Sequence, residues 1–82
     1  MDESLDLSPR EIAACFADPL WAQRFPPVLR IEQAAELLGL PVGTLRDWRS
    51  RGLLTKCSRK VGRRVLFFRD RLILSVFNSF GE

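Results

Sequence analysis

Apolar side chains recur at helical spacing near the start of the chain, where Ile12 and Phe16 follow a helix start signal. Ser8 is a typical N-cap residue, and Glu11 stands where its carboxylate can close a capping box. The proline that follows Ser8 suits the first position of a helix. This pattern predicts a short helix over residues 9–17.

A second start signal, Asp18 followed by proline, precedes the sequence LWAQRF and predicts one or two further helical turns. Pro26 and Pro27 then restrict the backbone to extended conformations and interrupt any helix. We therefore expect residues 1–27 to form a helical arm that precedes a separate domain over residues 28–82.

Two short amphipathic segments follow the arm, separated by a very short connection. The first is RIEQAAELLGL, in which alanines and leucines form an apolar stripe and Gly39 is placed to end a helix. The second is VGTLRDWRSRG, in which Leu45 and Trp48 share one face and Gly52 ends the helix. Two helices joined this closely predict a helix-turn-helix, although a plain helical hairpin has the same spacing.

The last part of the chain predicts a β-hairpin followed by a closing helix. The sequence TKCSRKVGRRVLFF turns at residues 61–63, and its unbroken apolar run over residues 65–68 predicts a strand covered on both faces. The closing helix has one apolar stripe, which consists of Leu72, Ile73, Val76, Phe77 and Phe80. Together the elements predict a mainly α fold with a small β-hairpin, which is a winged helix-turn-helix with an extra N-terminal helical arm.

The composition is that of one small folded domain and argues against catalysis. The 82 residues include no histidine, which is the commonest general base and metal ligand. Cys15 and Cys57 lie far apart and fit no metal-binding spacing, so we expect both to be reduced residues of the core. These features predict a protein that is not an enzyme and needs no cofactor or metal.

The sequence contains no feature that directs a chain to a membrane. No apolar stretch approaches the ~20 residues of a membrane span. The acidic N-terminus lacks the basic and apolar regions of a signal peptide. We therefore expect a cytoplasmic protein that makes no membrane contact.

Charge is distributed unevenly along the chain. Residues 1–36 carry three basic and seven acidic side chains, a net charge of −4, whereas residues 37–82 carry ten basic and three acidic ones, a net charge of +7. All the basic residues of the second part fall between Arg46 and Arg71. A charged block is often only a solvated face, but this asymmetry is also typical of a phosphate-binding surface.

The second helix of the pair has a polar face opposite its apolar one, made of Gly43, Arg46, Asp47 and Ser50. Gly43 weakens a helix by about 1 kcal/mol relative to alanine. Two explanations of this glycine are open: fraying at the helix start, or the close approach of a phosphate or base to the helix backbone. Arg46 can make the bidentate contact that recognises guanine, and Asp47 can either accept from cytosine or orient Arg46 or Arg51.

The predicted hairpin tip concentrates positive charge beside the helix pair. Arg59, Lys60, Arg63 and Arg64 surround Gly62. A hairpin fixed to a core with such a tip can act as a wing on the phosphate backbone or the minor groove. The same side chains could instead only keep an edge strand soluble. We favour the wing because the charge and the helix pair occur together.

The stretch LRIEQAAELLGLPVGTLRDWRSRGLL, continued by KVGRRVLFFRDRL, resembles the small winged helix-turn-helix proteins of the excisionase and AlpA group, within the MerR-like superfamily. The resemblance covers residues 28–78 and implies a recognition helix in the major groove and a wing on the adjacent minor groove. The candidate DNA contacts, from this implication and from the polar helix face, are Val42, Gly43, Thr44, Arg46, Asp47, Arg49, Ser50 and Arg51 in the helix and Arg59, Lys60, Arg63 and Arg64 in the wing.

Two helix caps depart from the pattern of this group. Its members usually have Ser or Thr before both helices of the pair, where this chain has Arg30 and Pro41. Proline can still begin a helix. Arg30 leaves the first helix weakly capped, at a cost of about 1 kcal/mol unless Gln33 or the arm compensates.

The sequence therefore predicts a protein that binds duplex DNA sequence-specifically, with recombination directionality and transcriptional regulation both open as its role. The resemblance implies several copies side by side, DNA bending or a partner such as an integrase. The alternative is a protein-interaction or self-assembly module. The apolar side chains that support this alternative are Phe16, Leu20, Trp21, Phe25 and Leu74. If these side chains are buried they complete a small core, and if they are exposed they favour an oligomer.

Overall fold

The computed structural model describes residues 7–79, so Phe80 of the predicted apolar stripe lies outside the described residues. The helices in this range are α1 (Pro9–Cys15), α2 (Pro19–Arg24), α3 (Ile31–Leu38), α4 (Val42–Ser50) and α5 (Arg69–Leu74), which continues into a π-helical turn (Ser75–Ser79). The strands are β1 (Val28–Arg30), β2 (Ser58–Val61) and β3 (Arg64–Phe68). None of these helices is long and apolar enough to cross a membrane. The predicted mainly α architecture is confirmed.

Both helices of the arm begin where the sequence predicts. The Ser8 hydroxyl accepts a hydrogen bond from the Glu11 N–H at 3.1 Å, and the Glu11 carboxylate accepts one from the Ser8 N–H at 3.0 Å, which completes the capping box. Asp18 caps α2 by accepting from the Leu20 N–H at 2.9 Å. The helix α1 ends at Cys15, slightly earlier than predicted.

The helix pair ends as predicted, and a glutamine supplies the cap that the sequence lacks. Gly39 adopts a left-handed conformation after α3 (φ 69°), and Gly52 does the same beyond α4 (φ 80°). At the start of α3 the Gln33 side chain accepts a hydrogen bond from the Arg30 N–H at 2.9 Å. Gln33 therefore compensates for the arginine at the capping position.

A third strand joins the predicted hairpin. The strand β1 pairs antiparallel with β3, which also pairs with β2, so the order in the sheet is β1-β3-β2. In this register Leu29 stands opposite Phe67, and both side chains are fully buried. The two prolines before β1 predict an extended segment, but its pairing depends on a partner that is distant in sequence.

One face of the sheet packs on the helices, and the other is largely open. Val28, Val61 and Phe68 are 49%, 53% and 46% exposed. The prediction that residues 65–68 are covered on both faces is therefore wrong. Among the described residues, the core side chains of the helix pair pack on the face that carries Phe67, and the second face keeps its apolar residues in contact with solvent.

The core takes side chains from the arm, the helix pair, the sheet and α5. Trp48 packs against it, and Leu45 of the same helix is fully buried, as predicted. The buried cluster consists of Phe25, Leu29, Ala34, Ala35, Leu45, Leu54, Cys57, Phe67 and Leu72. Because β1, α3, α4, β3 and α5 each contribute to this cluster, the positions of α4 and of the hairpin are fixed relative to each other.

The two cysteines have different environments. Cys57 is buried in the core, as predicted, and burial raises the pKa of its thiol. Cys15 is exposed, so the prediction that it belongs to the core is wrong. The reason is that α1 ends at Cys15 and buries Ile12 instead.

A buried arginine ties the arm to the junction between β3 and α5. The guanidinium of Arg69 lies 3.7 Å from the centre of the Phe16 ring and donates a hydrogen bond to the Phe25 carbonyl at 2.8 Å. Its Nε donates to the Asp70 carboxylate at 2.9 Å, and its backbone N–H donates to the Pro27 carbonyl at 2.8 Å. Only 8% of the residue is exposed, so these contacts satisfy a largely desolvated charge.

We expect Arg69→Ala to lower the free energy of unfolding by about 2–4 kcal/mol, because it removes the cation–π contact and leaves a buried carbonyl without its donor. Urea unfolding followed by tryptophan fluorescence measures the change. Arg71→Ala, at an exposed position on the same helix, should stay within about 0.5 kcal/mol of the wild type. Equal effects of the two substitutions would contradict the role of Arg69.

Candidate nucleic-acid interface

Helix α4 turns its polar face away from the core. Leu45 and Trp48 face the core, and Arg46 on the opposite side is exposed. The Nε of Arg51 lies 3.1 Å from the Asp47 carboxylate. The sequence allows Asp47 to contact a cytosine, Arg46 or Arg51, and the structure shows the ion pair with Arg51.

The first turn of α4 adds few side-chain atoms to this face. Val42 and Thr44 are half-buried, and Val42 packs against the core. Gly43 is exposed, and a Cβ placed on it would meet nothing within 4 Å. Packing inside the protein does not require glycine at this position, so the space beside it is open to another molecule.

The wing is a β-hairpin whose tight turn depends on glycine. Val61 at the end of β2 and Arg64 at the start of β3 stand opposite each other in the register. Between them Gly62 has φ 62°, where any other residue would be strained. Arg63 completes the turn and is exposed, as is Arg64.

The wing, α4 and the start of α3 line one groove, which we call the basic groove. Its volume is about 850 Å³. Six of its residues are basic and one is acidic, so its potential is positive. The lining residues are Arg30, Ile31, Glu32, Arg46, Arg49, Ser50, Lys60, Arg63, Arg64 and Val65.

The cations of the basic groove have no carboxylate partner within residues 7–79. The ion pairs in that range lie elsewhere and join Arg24 to Glu36, Arg51 to Asp47 and Arg69 to Asp70. In the same part of the chain, the buried Nε of Arg49 has no hydrogen-bond acceptor. A polyanion that offers many oxygen acceptors, such as a phosphate backbone, would satisfy the exposed charges.

The alternation of β2 separates Arg59 from the other basic residues of the wing. Lys60 stands opposite Val65, and both line the basic groove. Arg59 stands opposite Leu66, and both line a second groove of about 500 Å³ on the open face of the sheet. That outer groove also contains basic side chains, which are Lys56 and Arg71.

The structure thus brings half of the predicted contact residues together and leaves the rest outside the basic groove. Those that line it are Arg46, Arg49, Ser50, Lys60, Arg63 and Arg64. Those that do not are Val42, Gly43, Thr44, Asp47, Arg51 and Arg59.

The basic groove also contains Arg30 and Glu32, which the sequence does not identify as candidates. Arg30 stands opposite Leu66 in the pairing of β1 with β3. This pairing carries the start of α3 to the wing, and it has no local sequence signal. The sequence signal that could have identified Arg30 and Glu32 as candidates is their charge at the start of α3.

Residues 28–73 match a family model described as a helix-turn-helix domain. The chain belongs to the helix-turn-helix domain family. The match spans β1, the helix pair, the wing and most of α5, and it is consistent with the resemblance to small excisionase and AlpA proteins. A helix-turn-helix domain indicates DNA binding, and the family is typically non-enzymatic. Comparison with curated proteins and with solved structures gave no significant match.

For this helix-turn-helix protein we expect Lys60→Ala to weaken DNA binding more than Arg59→Ala does, because only Lys60 lies in the basic groove. Losing one phosphate contact should reduce the slope of log K against log salt concentration by roughly one unit. Fluorescence anisotropy with a labelled duplex at several salt concentrations measures both variants. An equal loss for the two would show that DNA contacts both faces of the wing.

Proposed function

We propose that the protein binds duplex DNA sequence-specifically, with α4 in the major groove and the wing on the adjacent minor groove or backbone. The observation that carries this proposal is the basic groove, where the exposed side of α4 and the wing present cations that lack carboxylate partners within the described residues. A helix fits the major groove of B-DNA, which is about 12 Å wide.

The basic groove and the first turn of α4 have distinct roles in this proposal. Arg46 is exposed on α4 and makes the bidentate base contact. Arg49, Lys60, Arg63 and Arg64 bind phosphates and set the position of the helix. The open space beside the first turn of α4 lets DNA approach the helix backbone closely.

The proposed DNA-binding unit extends over residues 28–82, and the N-terminal arm supports it through Phe25, which lies in the core. A single module of this size buries about 600–1,000 Å² on DNA, which gives modest affinity. Several copies bound side by side, or a partner such as an integrase, would raise it. This fits an excisionase-like recombination directionality factor or a transcriptional regulator that acts in the cytoplasm.

Selection from a random duplex library at near-physiological salt tests the proposal directly. We expect the retained duplexes to share a short motif, since base contacts discriminate and phosphate contacts do not. Retention without a motif would mean that the protein binds only the backbone. No retention would contradict DNA binding altogether.

The selected motif then identifies the base contacts. We expect Arg46→Ala to cost about 1–3 kcal/mol on the best site and to relax the preference at one base pair. Arg63→Ala should instead weaken all duplexes alike and reduce the salt dependence. Repeating the selection with each variant distinguishes the two effects, and an unchanged motif with Arg46→Ala would exclude that residue as a base contact.

A second candidate function is a protein–protein contact through the arm. Phe25 is buried in the core and Phe16 packs against it, but Leu20 and Trp21 are 76% and 49% exposed. The centres of the Trp21 and Phe25 rings lie 5.7 Å apart, so this stacking anchors Trp21 to the core while about half of it stays exposed. Exposure of these residues favours self-association.

If the arm mediates self-association, Leu20→Glu should return the protein to a monomer without changing its stability. Sedimentation velocity over a range of concentrations, with and without duplex DNA, measures the association. Arg10→Glu introduces a charge at another exposed position of the arm and serves as the control. A wild-type protein that stays monomeric in both conditions would exclude self-association through the arm.

A further inference from the structure

The basic groove contains a single carboxylate, that of Glu32. Glu32 is exposed in the first turn of α3, close in sequence to Arg30, another residue of the basic groove. No hydrogen bond or ion pair joins its carboxylate to any side chain within residues 7–79. The Glu32 carboxylate therefore lies in the same groove as six cations but forms no ion pair with any of them.

Glu36, one turn further along α3, shows what an acidic residue does elsewhere on this helix. Its carboxylate lies 2.7 Å from the Arg24 guanidinium, and this hydrogen bond lowers the pKa of Glu36. Asp47 on α4 is likewise paired, with Arg51. Glu32 differs from both because it lies in the basic groove and keeps all its acceptor positions available.

An unpaired carboxylate opposes the binding of a phosphate backbone. Like charges repel at the distances found inside one groove, and the repulsion acts on every duplex regardless of its sequence. A carboxylate can recover this loss only where the DNA offers it a donor. In the major groove the amino group of cytosine is such a donor, and acidic side chains accept from it.

We propose that Glu32 is a specificity-determining residue, which disfavours non-cognate duplexes and accepts a hydrogen bond from a base amino group in the cognate site. The inference rests on the proposed function and adds to it a repulsive element inside the binding surface. Specificity often needs such an element, because attraction by six cations alone would hold any duplex.

The helix dipole gives a simpler explanation of the acidic residue at position 32, since a negative charge in the first turn stabilises a helix. This explanation concerns the folding of α3 and predicts no change in the choice of DNA. The two explanations therefore differ in the ratio of affinities for a selected and a random duplex, which a structural role would leave unchanged.

The test compares Glu32→Gln with Glu36→Gln on the full chain. Both substitutions raise the net charge by one and lie on α3, but only the first lies in the basic groove. The probes are a duplex with the selected motif and a random duplex of equal length, at one fixed salt concentration. Thermal unfolding of each variant establishes that it is folded.

We expect Glu32→Gln to bind the random duplex several-fold more tightly and to reduce the affinity ratio by a similar factor, because the amide keeps an acceptor for the base but no longer repels phosphates. Glu32→Ala, which removes the acceptor as well as the charge, should in addition weaken binding to the selected duplex. Glu36→Gln should leave the ratio within about twofold of the wild type.

Two results would overturn the inference, and they can be told apart. If the wild type selects a motif but Glu32→Gln and Glu36→Gln give the same ratio, Glu32 does not determine specificity and the proposed function stands. If the wild type selects no motif, the proposed function fails and the inference fails with it.

Discussion

Among the described residues, the buried Arg69 is the contact that joins the arm to the junction of the sheet with α5. It sits where β3 becomes α5 and binds the arm through the Phe16 ring and the Phe25 carbonyl. Its backbone N–H adds a bond to Pro27. Because the arm leads directly into β1, this contact also fixes the strand that pairs with the wing, and the arm becomes part of the frame that holds the basic groove.

The basic groove is a product of this frame rather than of any single element. Helix α4 supplies Arg46 and Arg49, the wing supplies Lys60 with the two arginines at its turn, and β1 delivers Arg30. These elements are distant in sequence but pack on one core. Proteins that hold their binding groups on rigid elements lose less entropy on association, since only the side chains remain to be ordered.

Local signals explain why most of the fold could be predicted. Ser8 with Glu11, Gly39, Gly52 and Gly62 act on their own neighbours, so the helix ends and the turn follow from short stretches of sequence. The pairing of β1, the exposure of Phe68 and the position of Glu32 depend on what lies beside them in three dimensions. For the site, residue type and charge pointed to the helix and the wing, and strand alternation alone puts Lys60 and Arg59 on opposite faces. Only the packing of the sheet decides that the face of Lys60 adjoins α4.

The unpaired cations of the basic groove have a consequence for the free protein. Six like charges held on one surface repel one another, so the folded state is strained electrostatically whenever no polyanion is bound. Added salt screens this repulsion and should favour folding, although the same salt weakens attachment to a phosphate backbone. Higher ionic strength should therefore raise the free energy of unfolding and lower the affinity for DNA. A bound duplex should in turn stabilise the folded state, because it binds that state and not the unfolded chain.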